Sequence, residues 1–221
     1  KINRKFDLGF PINILNIGGI ANITSTVDDK DLWRISKIHA YDIGPGNCLI
    51  DEWIRKNSNK KYDNEGSLAK SGKTDQLVLN QALDNFSLSP DYEKSLDVKD
   101  FDIFFAKGLS LENGVSTITD FTAKLISDGM KHVHNIIQPR KTRWLVCGGG
   151  RKNKHLLKSI KNNFEKLFID PIEKYEINGD YVESQAFAYL AIRSLEGMPI
   201  SFPSTTRCNK PTSGGTVVKN F

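Results

Sequence analysis

Asp42 closes an apolar, aromatic run and is followed directly by Ile43, Gly44, Pro45, Gly46 and Asn47. An acid at a strand end, ahead of a glycine-proline turn that opens a helix, sets a carboxylate beside a helix N-terminus. Helix N-termini attract anions through unpaired amides, and a carboxylate near a bound phosphate can orient a magnesium-bound water. Asp42 is therefore the metal candidate, and Asp42, Gly44, Gly46 and Asn47 are cofactor-binding candidates; the plainer reading is that Asp42 only satisfies amides of its turn. A second turn, "NIGGIAN" from Asn16 to Asn22, sets Gly18 and Gly19 between two β-branched runs. The two glycines suit positive φ in a hairpin, or let their N–H groups meet phosphate oxygens, and both readings stand. A third, "LVCGGGRKN" at 145–153, runs an apolar strand into Gly148, Gly149 and Gly150, then Arg151, Lys152 and Asn153. It matches neither the Walker A loop nor G-x-G-x-x-G. Three glycines after a buried strand still uncover backbone at the carboxyl edge of a sheet, where a base or ribose can lie while Arg151 or Lys152 attends the charge. The plainer reading is a strand-to-helix turn. Finally, Asp180 and Glu183 stand three apart in "GDYVESQ", which reads first as a helix-capping pair.

Composition narrows the classes this chemistry can serve. The chain has a formal net charge of +5 and 221 residues, long enough for one large domain, or two small ones, with a buried core. Basic residues concentrate between Arg140 and Lys158, but without interleaved aromatics or a nucleic-acid motif, so no nucleic-acid partner is expected. The three cysteines are far apart, which argues against a disulfide framework or zinc site and fits a reducing cytoplasm. The four histidines lack metal spacing, and no run approaches the roughly 20 apolar residues of a membrane span.

The elements that must hold the turns follow from periodicity. Residues 13–26 read as strand, tight turn and strand, 32–44 as more strand, and 45–56 as a helix with Asn47 as N-cap and an apolar stripe of Leu49, Ile50, Trp53 and Ile54. A polar stretch at 57–100 reads as an insertion with one short helical turn and a helix at 74–84 capped by Thr74 or Asp75. Then come a long helix at 113–137, a buried strand at 143–149, a helix at 153–164, a strand-like stretch from Leu167 to Ile177, and a closing helix at 180–197 ended by Gly197. The alternation in the second half predicts parallel strands in an α/β layer arrangement. Three glycine turns at strand ends, one beside an acid, together suggest the sugar kinase, heat-shock ATPase and actin architecture, in which turns from two similar domains clasp a nucleotide.

"NIGGIAN", "DIGPGN", "KSLD" (Lys94–Asp97), "LVCGGGRKN" and "GDYVESQAFAYLA" occur in the order that resembles the anhydro-N-acetylmuramic acid kinases, from about Asn13 to the "TSGG" near the end. The resemblance implies one ribonuclease H-like, actin-type ATPase lobe spanning 1–221, with a mixed sheet flanked by helices. It implies an ATP- and Mg2+-dependent phosphotransferase with an alcohol acceptor, which opens the 1,6-anhydro ring with water and phosphorylates O6, giving N-acetylmuramic acid 6-phosphate in peptidoglycan recycling. "NIGGIAN" (Asn16, Gly18, Gly19) then resembles a phosphate-binding turn, "DIGPGN" a strand-helix element beside the nucleotide, and "CGGG" with Asn153 the adenosine-side turn. Glu183 moves from cap towards sugar contact. Family members also carry a "GTSMDG"-type loop and a "GDFR"-type stretch with the catalytic base, and neither occurs here, so no catalytic residue is assigned. The chain resembles the C-terminal lobe, its partners the sugar, the nucleotide and an N-terminal lobe; a homodimer is left open. Arg207 stands where the pattern leads one to expect glycine. Another kinase of the same superfamily, or a non-catalytic nucleotide-binding module, are the alternatives.

Overall fold

The computed structural model describes residues 11–26, 38–86, 95–137, 143–164 and 168–218. Five strands form one mixed sheet: β1 (Ile12–Ile17), β2 (Ile20–Thr26), β3 (Ile38–Pro45), β4 (Arg143–Cys147) and β5 (Phe168–Pro171), in the order β3-β2-β1-β4-β5. The first three make an antiparallel meander, and β4 and β5 add in parallel on the other side of β1. A mixed sheet flanked by helices is the arrangement the resemblance implied. β1 and β2 alternate buried with half-buried residues, the period-two pattern of strands packed on one face. β4 lies between two neighbours and is buried from Trp144 to Cys147, hence its unbroken apolar run.

The helices are α1 (Cys48–Asn57), α2 (Ser67–Ser71), α3 (Gln76–Asn85), α4 (Leu111–Ile137), α5 (Lys154–Asn163), α6 (Val182–Leu195) and α7 (Pro203–Thr206). α1 buries the expected stripe of Leu49, Ile50, Trp53 and Ile54. α4 is the spine: Ile118, Phe121, Leu125, Ile126, Met130 and Val133 are buried, and it packs on α1, α2, α3, α5 and β3. Asp75 caps α3, its carboxylate accepting from Leu77 N and Val78 N. Gly197 follows α6 at φ 66°, and Met198 N donates to Arg193 O at 2.8 Å, a Schellman-type stop.

The described part of the polar 57–100 stretch packs on the common core through Ala69, Leu79 and Ala82. Several expectations are revised. β5 stops at Pro171, and Ile172–Tyr175 turns into a 3-10 helix whose eclipsed ends, Ile172 and Tyr175, are both buried. Asn47 precedes α1 without a side-chain capping bond. α6 begins after Tyr181 with no side-chain cap, so Asp180 and Glu183 form no capping pair. Arg207 adopts φ 56°, the left-handed region that favours glycine, which explains why glycine suits that position. Leu32 and Ile35 of the third strand, Lys94, Arg140 and Lys141 lie outside the described residues.

Candidate functional site

β1, β3, β4 and β5 all run the same way, so the turns that follow β1, β3 and β4 meet at one edge of the sheet. There the start of α1 docks onto the first turn. Gly46 N and Cys48 N donate to Gly19 O at 2.8 and 3.2 Å, and Asn47 N donates to Gly18 O at 2.7 Å. The expected anion site at this helix N-terminus therefore has three of its amides occupied by backbone. Glycine at 46 is what permits the approach, because a Cβ there would stand 2.3 Å from Gly18 O. Neither Gly18 nor Gly19 takes positive φ, and Gly18 N donates to Ile20 O at 3.2 Å. Gly19 is exposed, and its N–H has no acceptor among the described residues.

The turn after β4 docks on the same strand end. Gly148, at φ 77°, lies against Asn16 Oδ1 and Ile17 O, and a Cβ on Gly150 would meet Ile17 Cγ2 at 2.2 Å. Cys147 Sγ donates to Asn16 Oδ1 at 3.6 Å. Gly149 is different: it is exposed, and the nearest atom to an added Cβ is Asn47 Nδ2 at 3.8 Å. Burial pushes the thiols of Cys48 and Cys147 up to about 11, so both are neutral near pH 7.

Gly149 opens into a cavity of about 310 Å³ with three walls. One is the turn itself, with Gly149, Lys152 and Asn153; the second is the start of α1, with Asn47, Ile50 and Asp51; the third is the strap Tyr62–Glu65. Asn153 serves the fold as well, since its Oδ1 caps α5 at Leu156 N, 2.9 Å. The cavity thus gathers Asn47, Gly149 and Asn153 from the sequence candidates, while Asn16, Gly18, Gly19, Gly148 and Gly150 form the backbone frame beside it and Gly44 and Gly46 are buried in the β3–α1 turn. Asp51, Tyr62, Asn64 and Glu65 were missed. Asp51 reads as part of the solvent face of α1, and the strap sits in the polar stretch, where a tyrosine and Gly66 were the available signals.

Two charged candidates sit elsewhere. Asp42 lies on β3 opposite Asn22, and its Oδ2 accepts from Leu96 N at 2.9 Å and Ser95 Oγ at 3.2 Å. Glu183 is exposed on the first turn of α6, outside the cavity lining. Arg151 is engaged by the fold itself. Its side chain is buried, with Nε on Glu173 at 2.5 Å, Nη2 on Asp180 at 3.0 Å and Nη1 donating to Gly148 O at 2.8 Å. Lys152 lines the cavity while pairing with Asp180 at 2.9 Å. Burial pushes the Glu173 carboxyl up, but the hydrogen bond and charge of Arg151, together with backbone amides including that of Gly179, outweigh it and the net shift is down; Lys152 and then Arg151 lower that of Asp180.

Among the described residues no group of three or more His, Cys, Asp or Glu is placed to hold a metal ion. Magnesium is often held by one or two carboxylates together with substrate phosphates and water, and Asp42, whose Oδ1 has no partner among the described residues, fits that manner of binding. No helix among the described residues is long and apolar enough to cross a membrane.

A family profile described as anhydro-N-acetylmuramic acid kinase matches residues 9–220. Curated proteins of that name are similar: one from Pelagibacter ubique is 46% identical over 96% of this chain and 56% of its own length. Another, from Rhizorhabdus wittichii, is 41% identical over 93% of this chain and 53% of its own. The chain therefore spans about half the length of the curated relatives it matches. Among solved structures, the activator of the 2-hydroxyisocaproyl-CoA dehydratase from Clostridium difficile, with bound ADPNP, aligns with a TM-score of 0.44 and 15% identity, covering 88% of this chain and 66% of that one. On the match across nearly its whole length, this chain belongs to the anhydro-N-acetylmuramic acid kinase family.

Proposed function

We propose that this chain is the nucleotide-holding lobe of an ATP-dependent kinase that opens 1,6-anhydro-N-acetylmuramic acid with water and phosphorylates its O6, in peptidoglycan recycling. The observation that carries the reading is the cavity at the open Gly149, shared by Asn47 and Asn153, in a chain matched by the family over residues 9–220. The adenosine end of the nucleotide lies in that cavity, and the phosphates extend along the sheet edge towards Gly19, whose N–H has no acceptor among the described residues. Magnesium, when bound, neutralises phosphate charge, and Asp42 holds it through water. Phosphoryl transfer depends mainly on positioning and charge stabilisation, so the lobe contributes by fixing the nucleotide.

The sugar, the catalytic base and the other half of the clamp belong to a second lobe. Two observations support this. The chain spans about half of its relatives' length. And α6 buries none of its residues, leaving Phe187 and Leu195 each 65% exposed. An apolar helix of this kind normally covers its stripe with a partner. Glu183, at the start of α6, is placed to reach sugar once that partner is in position. The free thiols of Cys48, Cys147 and Cys208 favour a cytoplasmic setting.

The test is a calorimetric titration of Mg-ATP into the chain and into Gly149→Arg. Binding by the first and none by the second is expected. Equal binding by both places the nucleotide elsewhere and sinks the assignment.

A further inference from the structure

Among the described residues, the cavity holds one carboxylate with no partner in the fold. In its walls, Asp63 accepts from Leu68 N and Ala69 N, both at 2.9 Å, and Glu65 pairs with Lys154 at 2.9 Å. The Asp51 side chain makes neither a hydrogen bond nor an ion pair among the described residues, although it is half-buried and lines the cavity. Burying a carboxylate without donors is costly, and folds ordinarily supply them. The cost is visible in its ionisation: burial pushes the Asp51 pKa up, Arg55 pulls it back only in part, and Asp63 adds to the rise.

Its place in the cavity defines the missing donor. Asp51 lies one helical turn beyond Asn47, whose side chain stands next to Gly149 and donates weakly to Ile17 O at 3.5 Å. The strap of Tyr62–Glu65 makes the far wall, with Tyr62 59% exposed and available as a flat surface. A nucleotide with phosphates towards the glycine turns and base towards the strap sets its sugar against α1, between the two. Ribose carries a vicinal diol, two O–H donors that match the two oxygens of one carboxylate. Phosphate has no such donors and is repelled by the charge.

We infer that Asp51 reads the ribose, its carboxylate accepting hydrogen bonds from the 2′- and 3′-hydroxyls of the bound nucleotide. The inference rests on the cavity being the adenosine site. It makes Asp51 a specificity residue, selecting ribonucleotides over deoxyribonucleotides.

The experiment titrates ATP, 2′-deoxy-ATP and 3′-deoxy-ATP into the chain, into Asp51→Asn and into Asp51→Ala. With the native residue, loss of either hydroxyl is expected to weaken binding by about ten- to a hundredfold, the scale of a hydrogen bond to a charged group. Asp51→Ala should weaken ATP by a similar factor and bind all three nucleotides alike, and Asp51→Asn should recover part of the preference. If ATP binds and the deoxy forms bind equally well, or if Asp51→Ala keeps the preference, the ribose assignment falls while the cavity reading stands. If ATP does not bind, or Gly149→Arg leaves its binding unchanged, the cavity reading falls first and takes the inference with it. Because the Asp51 carboxylate bonds to nothing among the described residues, neither variant should melt below the native chain; a markedly lower melting temperature would make Asp51 structural and overturn its role.

Discussion

Three consecutive glycines, Gly148 to Gly150, do three different things. Gly148 takes φ 77° with Asn16 Oδ1 and Ile17 O against it, and Gly150 presses on Ile17, which is fully buried. Gly149 has open space in front of it. Gly148→Ala combines a left-handed alanine with a clash against backbone, and should cost about 2 kcal/mol or more. Gly149→Ala should change stability by no more than about 0.5 kcal/mol. Urea denaturation of the two variants checks this; equal losses would mean that Gly149 is also held by packing and does not face a ligand. The run of glycines was legible in the sequence, but which one stands open was not. That depends on Ile17 and Asn16, more than a hundred residues earlier in the chain.

The β4–α5 turn is latched to the segment before α6 by Arg151, which bridges Glu173 and Asp180. Both carboxyls have lowered pKa values in the folded chain, below ordinary values of 4.5 for Glu173 and 3.8 for Asp180. A carboxyl with a depressed folded pKa contributes stability that is fully present above its unfolded value and is lost as pH falls through the folded one. The latch should therefore weaken only below about pH 4.5, and Arg151→Leu should flatten the fall in melting temperature on that acid side. Both carboxylates are substantially exposed, so solvent screening keeps the effect small. An unchanged acid profile in the variant would show that the latch carries no stability. In the sequence Arg151 reads as a ligand cation, because its acids lie 22 and more residues downstream.

For the molecule as a whole, the exposed α6 is the feature that the described fold alone does not explain. Tyr189 and Ile192, each 58% exposed, extend the apolar surface begun by Phe187 and Leu195. Isolated, the chain should bind a hydrophobic dye and self-associate; Phe187→Asp with Leu195→Asp should relieve both. Co-expression with the part of the Pelagibacter ubique relative that this chain does not match should bring kinase activity with the intact α6, and none with the double variant. Assembly and activity unaffected by the two aspartates would rule out α6 as the lobe contact.

The sequence by itself determined the local part of this protein. Apolar periodicity placed the stripe of α1 and most of α4, Thr74 or Asp75 announced the start of α3, Gly197 the end of α6, and the glycine turns marked the strand ends that meet at one edge. These signals lie within one or two helical turns of the residues they govern, so a linear reading captures them. Only the tertiary structure decided what depends on distant partners. It showed that the Gly18 and Gly19 carbonyls occupy the α1 amides, and that Asp42 holds the Leu96 amide. It turned Arg151 away from the cavity and left the Asp51 carboxylate at it without a donor among the described residues. Hydrogen bonds are satisfied by whatever the fold brings within about 3 Å, and no local pattern records which group that will be.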